Sequence, residues 1–260
     1  MITMEHSPDF SVRDKVVIVT GAARGLGLVF AGSLAREGAR VVLLDTRSDI
    51  AEAAANTIIE HGGQAFAAEC DVTDQNQAER AVDLAISRFG AIDALVNNAG
   101  INQVGPAESV DVDVWRKVID VNLVGVYLMS RSAAPNMISR QRGSIVNIAS
   151  IHASVAPAFH CASAYATSKA GVLGLTRALA VEWGKYSIRV NAIAPGFVRT
   201  EMTRERLDDR AYLARIMDRS PIPRTIESAD LIGALHYLIA DASRMVTGQA
   251  LSVDGGWLAV

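Results

Sequence analysis

Short, uniformly apolar runs recur along the chain, each followed by a stretch whose apolar positions return every three to four residues. The first run, at 15–20 (KVVIVT), is rich in β-branched residues and carries no polar alternation, so it predicts a strand buried on both faces. Residues 25–37 predict a helix, ended by Gly38. The pair repeats at 40–45 and 50–61, and strands are expected again at 64–69, 91–96, 143–148, 187–192 and 250–253. Helices are expected between them at 75–89, 112–140, 164–183 and 228–241. Such alternation implies parallel strands, right-handed crossovers and helices on both faces of a doubly wound sheet. No Ser/Pro/Gly-rich linker or charge block marks a boundary, so a single α/β domain over 1–260 is expected.

One region departs from the pattern. Residues 197–225 are dense in charge (Arg199, Glu201, Arg204, Glu205, Arg206, Asp208, Asp209, Arg210) and close with Ser-Pro-Ile-Pro. Open parallel sheets bind ligands beyond the carboxyl ends of their strands, so this insertion is expected to form a lid. Met202, Leu207 and Leu213 are its candidates for inward-facing residues. Its arginines suit an anionic substrate, although a charge run also serves as a plain solvated face.

Composition narrows the partners. Half of the residues are hydrophobic and only 5% aromatic, which gives a core of Ala, Val, Leu and Ile. A formal net charge of −3 offers no reason to expect nucleic acid or an anionic membrane. No apolar run reaches the ~20 residues of a membrane helix. The start, MITMEHSPD, lacks a basic region followed by an apolar stretch, so no secretory leader is expected. Cys70 and Cys161 then read as free thiols in a reducing cytoplasm.

Candidate chemistry begins at the first turn. Gly21, Arg24, Gly25, Leu26 and Gly27 link the first strand to the first helix, where glycines let backbone approach a pyrophosphate and the helix N-terminus offers free N–H groups. Asp45 ends the second strand, placed to meet ribose hydroxyls and to repel a 2′-phosphate, so NAD is expected over NADP. Arg24 and Arg47 argue the other way. Asp71 and Val72 follow the third strand, with Asp74 as a helix cap, and Asn97, Asn98, Ala99 and Gly100 close the fourth with small residues. Tyr165 and Lys169 stand four apart on an expected helix, hence on one face. A phenol titrates near ~10, and a nearby ammonium is expected to lower it enough for acid–base work.

Taken in order, these motifs resemble the short-chain dehydrogenase/reductase family, in the branch with Thr-Gly-x-x-x-Gly-x-Gly and Tyr-x-x-x-Lys. The resemblance runs from Lys15 to the end and includes Asn122, Ser150, Pro195-Gly196, Thr200 and Asp254-Gly255-Gly256. It implies a Rossmann-type fold and a catalytic set of Asn122, Ser150, Tyr165 and Lys169. Tyr165 would exchange the proton with the substrate oxygen, Ser150 would hydrogen-bond that oxygen, Lys169 would hold the nicotinamide ribose, and Asn122 would position a water. Pro195, Gly196, Val198 and Thr200 would lie at the nicotinamide. A homo-oligomer, most often a tetramer, is implied as well, on the helices from Val112 and Ala164 and the last strand.

The spacing from Ser150 to Tyr165 is fifteen positions, longer than the resemblance implies, and Ser154 and Ser163 lie nearby. The added length forms an expected substrate wall carrying His152, His160 and Cys161. His152 and His160 stand eight apart with no acidic residue between them, which fits no common metal site, so no metal is expected. The expected reaction interconverts a secondary alcohol and a ketone on a small polar molecule: a sugar, sugar acid, polyol or cyclic alcohol. An NADPH-dependent 3-oxoacyl thioester reductase and a non-catalytic dinucleotide sensor remain the alternatives.

Overall fold

The first apolar run becomes β1 (Val16–Thr20), buried along its length, and the second becomes β2 (Arg40–Asp45). β3 (Gln64–Glu69), β4 (Ala94–Asn97), β5 (Gly143–Ile148), β6 (Ile188–Pro195) and β7 (Ala250–Val253) complete a seven-stranded sheet in the order β3-β2-β1-β4-β5-β6-β7. Every pairing is parallel. This computed structural model describes residues 8–157 and 159–260; the leader-free start expected from residues 1–7 lies outside the described residues.

Helices α1 (Gly25–Arg36), α2 (Ser48–Glu60), α3 (Gln75–Phe89), α4 (Val112–Ile119), α5 (Gly125–Ser139), α6 (Ser163–Trp183), α7 (Arg204–Leu207), α8 (Arg210–Arg219) and α9 (Ile232–Ile239) follow in chain order. Successive strand residues point to opposite faces. Val17, Val19, Val41 and Leu43 therefore meet Phe30 and Leu34 of α1 and Leu235 of α9, whereas Ile18, Val42 and Leu44 meet α3, α5 and α6. Both faces of the central strands are covered, which is why β1 and the middle of β2 are continuously apolar.

Several expected boundaries move. The strand expected at 91–96 starts only at Ala94; Asp93 just before it still bonds through its backbone to Val16 and Ser144, and its carboxylate accepts from Val16 N–H at 2.9 Å and from Arg140 at 2.8 Å. The strand expected from 187 begins after Ser187, whose φ of 58° is left-handed, and runs on to Pro195. The helix expected at 228–241 is a 3₁₀ turn (Ser228–Leu231) followed by α9. The single helix expected at 112–140 is interrupted by a π turn, Asp120–Val124, that separates α4 from α5. The charged region at 197–225 holds the short α7 and α8.

The sheet order reverses between β1 and β4. Their carboxyl ends, with that of β5, open a crevice at this switch point, the place where doubly wound sheets take ligands.

Candidate active site

Gly21 and Gly25 adopt φ of 63° and 57°, which bends the chain from β1 into α1. A Cβ on Gly27 would stand 2.3 Å from the carbonyl oxygen of Gly21 and 2.6 Å from Asn98 Nδ2, so only glycine lets α1 begin this close. The turn is sewn to the end of β4. Thr20 Oγ1 accepts from the N–H groups of Asn98 and Ala99, both at 3.0 Å, and Asn98 Nδ2 donates to the carbonyls of Thr20 and Gly21. Arg24 precedes α1 without capping it, which leaves the first helical N–H groups for a ligand. Leu26 packs on the core below. A glycine-only backbone at an uncapped helix start fits a dinucleotide pyrophosphate.

Asp45 Oδ2 accepts from Ala23 N–H at 3.0 Å and Oδ1 from Arg47 N–H at 3.1 Å, so the carboxylate stands beside the glycine turn. Arg47 Nε is 3.7 Å from Asp45, and the Arg24 guanidinium is paired with Glu201 of the 197–225 segment. Both arginines therefore already face carboxylates. Asp71 is turned to Thr73, accepting from its N–H and its hydroxyl. Val72 is buried against Gly125, where a Cβ would come within 2.6 Å of it. Asp74 caps α3 as expected, accepting from Gln77 N–H.

Tyr165 and Lys169 lie on α6, and Lys169 is buried with its Nζ 5.6 Å from the centre of the Tyr165 ring. That Nζ donates to the carbonyl of Ile148 at 2.6 Å, a group at the carboxyl end of β5. Asn122 is fully buried in the π turn, where its amide closes a pair of hydrogen bonds with Ile101: Oδ1 accepts at 2.8 Å and Nδ2 donates at 2.9 Å. These bonds explain why the helix is interrupted there: a π turn re-aims one side chain, here toward the loop after β4. Gly100 fits between the two residues, since a Cβ on it would lie 3.3 Å from Asn122 Oδ1 and 3.7 Å from Lys169 Nζ.

Electrostatics corrects one expectation. Burial pushes the Tyr165 phenol above its ordinary value, while the Ser150 hydroxyl and the Arg206 charge act downward. Lys169 is itself pushed down to about 8 by burial. Desolvation thus drives both groups toward their neutral forms, and an acidified phenol is not what the protein matrix alone produces.

Ser150 and Tyr165 line one small cavity of about 70 Å³, with His152 and His160 on its wall. Ser150 is the serine that faces it; Ser154 and Ser163 are both exposed. The rings of His152 and Tyr165 stand 6.4 Å apart, those of His152 and His160 5.5 Å. Burial lowers both histidines, His160 to about 4, and the Arg206 charge adds to this. His160 Nδ1 is 3.1 Å from the Tyr212 hydroxyl. Cys161 is exposed, and among the described residues no cluster of three or more His, Cys, Asp and Glu side chains offers a metal site.

The segment at 197–225 contributes Phe197, Met202, Thr203, Arg206, Leu207 and Tyr212 to the cavity wall. Leu207 is buried, as expected, together with Ile151, Ile216 and Trp257, and Leu213 packs against this cluster. Met202 is half exposed but still lines the cavity. Gly196 lines it too, packed so closely that a Cβ would come 3.0 Å from Asp254 Cα. Pro195 ends β6, Val198 is buried in a bridge to Ile226, and Thr200 N–H donates to Thr203 Oγ1 at 3.0 Å. Asn102, Phe197, Thr203 and Tyr212 also line the cavity, and no motif singled them out. Asn102, Phe197 and Thr203 sit in irregular segments, where no periodicity tells which side chain points inward, and Tyr212 lies on α8 within the charge run.

A family model described as enoyl-(acyl carrier protein) reductase matches residues 21–258. The 5-keto-D-gluconate 5-reductase of Escherichia coli is 37% identical, over 96% of this chain and 97% of its own. The cyclopentanol dehydrogenase of Comamonas testosteroni is 36% identical, over 95% and 98%. A crystal structure of a gluconate 5-dehydrogenase from Burkholderia cenocepacia, in complex with NADP and tartrate, superposes with a TM-score of 0.94 at 36% identity and covers 97% of this chain and 98% of that one. With its seven parallel strands, its glycine turn and its tyrosine–lysine pair, the chain belongs to the short-chain dehydrogenase/reductase family of dinucleotide-binding oxidoreductases acting on CH–OH groups.

Proposed function

We propose that the protein interconverts a secondary alcohol and a ketone on a small polar molecule, with Tyr165 as the acid–base residue and NAD as the preferred dinucleotide. The observation that carries this reading is the shared cavity of Ser150 and Tyr165 at the carboxyl end of the sheet, with Lys169 and Asn122 buried behind it. The bound dinucleotide supplies the acceptor or donor of the hydride. Gly21, Gly25 and Gly27 would hold its pyrophosphate, Asp45 a ribose, Asp71 and Val72 the adenine, and Gly100, Pro195, Gly196, Val198 and Thr200 the nicotinamide side. Lys169, pinned to Ile148, would hold the second ribose.

In reduction Tyr165 donates its proton to the developing alkoxide while Ser150 holds the same oxygen, two donors fixed in advance of the charge they stabilise. Burial favours the neutral phenol, which suits proton donation at neutral pH. The preference for NAD is supported by Asp45 beside the glycine turn and by the engagement of Arg24 and Arg47 with carboxylates. A sugar, sugar acid, polyol or cyclic alcohol suits the wall of histidine, asparagine and hydroxyl groups, and relatives named for a keto-gluconate and for cyclopentanol fall in this range. Residues 197–225 would close over it as a lid, and the exposed Val112, Val114, Val124, Tyr127 and Val181 of α4 to α6 would be covered in a homotetramer.

Replacing Tyr165 by Phe tests the mechanism. Turnover should fall by about 10³-fold or more while NADH binding, read by fluorescence, stays within a few-fold. Unchanged turnover would remove Tyr165 from the mechanism. A second reading, an NADPH-dependent 3-oxoacyl thioester reductase, draws on the enoyl-(acyl carrier protein) reductase description of the family model. Turnover of one diketone with NADH and with NADPH separates the two, and a strong NADPH preference would favour the thioester reading.

A further inference from the structure

Five buried side-chain polar atoms among the described residues have no hydrogen-bond partner, and three of them gather in one place. Asn102 Oδ1, His152 Nδ1 and Arg206 Nη1 all belong to residues lining the cavity in front of Tyr165. Buried polar atoms are normally paired, so three unpaired ones around a single void mark groups whose partners come from a ligand.

Arg206 is the decisive member. Among the described residues no other arginine or lysine lines the cavity, and Arg199 and Arg24 are already paired, with Asp208 at 2.9 Å and with Glu201. Arg206 forms no ion pair among the described residues. The cavity wall holds no carboxylate, and its two histidines are shifted toward the neutral form, which leaves Arg206 as the one fixed charge lining it. Glu205 and Asp209 line only the wider vestibule of about 480 Å³ outside. Arg206 and Asn102 line both spaces, so they stand where the vestibule meets the inner cavity and present the one cation on the way to Tyr165.

We propose that Arg206 binds a carboxylate of the substrate and that Asn102 and His152 take hydroxyl groups next to it, so that the enzyme acts on a small hydroxylated carboxylic acid. This rests on the oxidoreductase reading of Tyr165 and narrows it. The guanidinium fork matches a carboxylate in two parallel hydrogen bonds. A phosphate carries close to two charges and gathers several donors. One cation in a cavity of about 70 Å³ suits a monoanion instead. Asn102 Oδ1 can only accept, which selects a hydroxyl donor rather than a second anion. The charge run at 197–225 thus contributes one arginine to the site, while its neighbours serve the surface.

The experiment compares D-gluconate and L-threonate with their uncharged counterparts D-glucitol and L-threitol, on the enzyme–dinucleotide complex. Binding is read by quenching of NADH fluorescence, and turnover by NADH formation. At least one acid should bind more tightly than its polyol. Arg206→Met should weaken that acid at least 30-fold more than the polyol, and Arg206→Lys should restore part of the difference. Equal losses on acid and polyol, or no measurable binding of either acid to the wild-type complex, would overturn the proposal. Arg206-dependent binding without turnover would uphold the anion site and count against the oxidoreductase reading. Turnover of polyols alone, abolished by Tyr165→Phe and indifferent to Arg206, would do the reverse.

Discussion

Lys169 Nζ donates to the carbonyl of Ile148 at 2.6 Å, and this one bond ties the middle of α6 to the carboxyl end of β5. It fixes the ammonium where the crevice between strands begins, one helical turn from Tyr165. The same burial that makes the bond short removes the amine from water and lowers its pKa to about 8. Positioning and desolvation are one event here. The residue that holds the site in register also carries a cost to the fold.

That cost has a sign and a window. The folded state loses its Lys169 proton at about 8, the unfolded chain at 10.5. Between these values the unfolded state binds more protons, so stability rises with pH across the window; below about 8 the full penalty of burying the cation is present. Lys169→Met removes this rise. The difference in unfolding free energy between variant and wild type should therefore change by roughly 3 kcal/mol in favour of wild type from pH 7 to pH 11. The lost bond to Ile148 adds an offset present at either pH. Urea unfolding of both proteins at the two pH values measures the change, and a pH-independent difference would contradict the buried-cation account.

Most of the fold was legible because its signals are local. Buried strands such as 40–45 and 143–148 announce themselves by a short core of β-branched and leucine residues, and both appear with the expected bounds. The interruption at Asn122 was not legible. A π turn is set by a hydrogen-bond pair with Ile101, twenty-one residues away, while the local pattern continues as a helix. At the site, Tyr165 and Lys169 could be named from their four-residue spacing on an expected helix, and Ser150 from the family resemblance. Asn102 and Tyr212 reach the same cavity from segments whose inward direction depends on tertiary packing.

Two glycines of the same helix should respond oppositely to alanine. Gly27 of α1 has no room, because a Cβ would meet the Gly21 carbonyl oxygen at 2.3 Å, a backbone atom that cannot step aside without moving the turn. Gly27→Ala should cost about 2–3 kcal/mol or more, as overpacking does, and weaken dinucleotide binding by displacing the helix start. Gly32 meets nothing within 4 Å. Gly32→Ala should stabilise by about 0.5–1 kcal/mol, since the unfolded chain loses freedom and nothing clashes. Thermal melts and NADH titration check both, and a silent Gly27→Ala would show that the turn is not held against α1 as described.

The proposed preference for NAD rests on Asp45. Its carboxylate accepts from the N–H groups of Ala23 and Arg47 and so stands fixed beside the glycine turn, where a 2′-phosphate would meet negative charge. Asp45→Ala removes that repulsion and frees Arg47, whose Nε lies 3.7 Å away. The ratio of kcat/KM with NADP to kcat/KM with NAD should rise by at least about 10-fold, through loss on the NAD side as well as gain on the other. The two orphaned N–H groups should also cost about 1–2 kcal/mol of stability. Adding Glu201→Gln releases Arg24 from its ion pair and should move the ratio further toward NADP, because a second guanidinium then faces the same position. An unchanged ratio in both variants would mean that neither Asp45 nor the arginines around it read the ribose, and the preference for NAD would lose its physical basis.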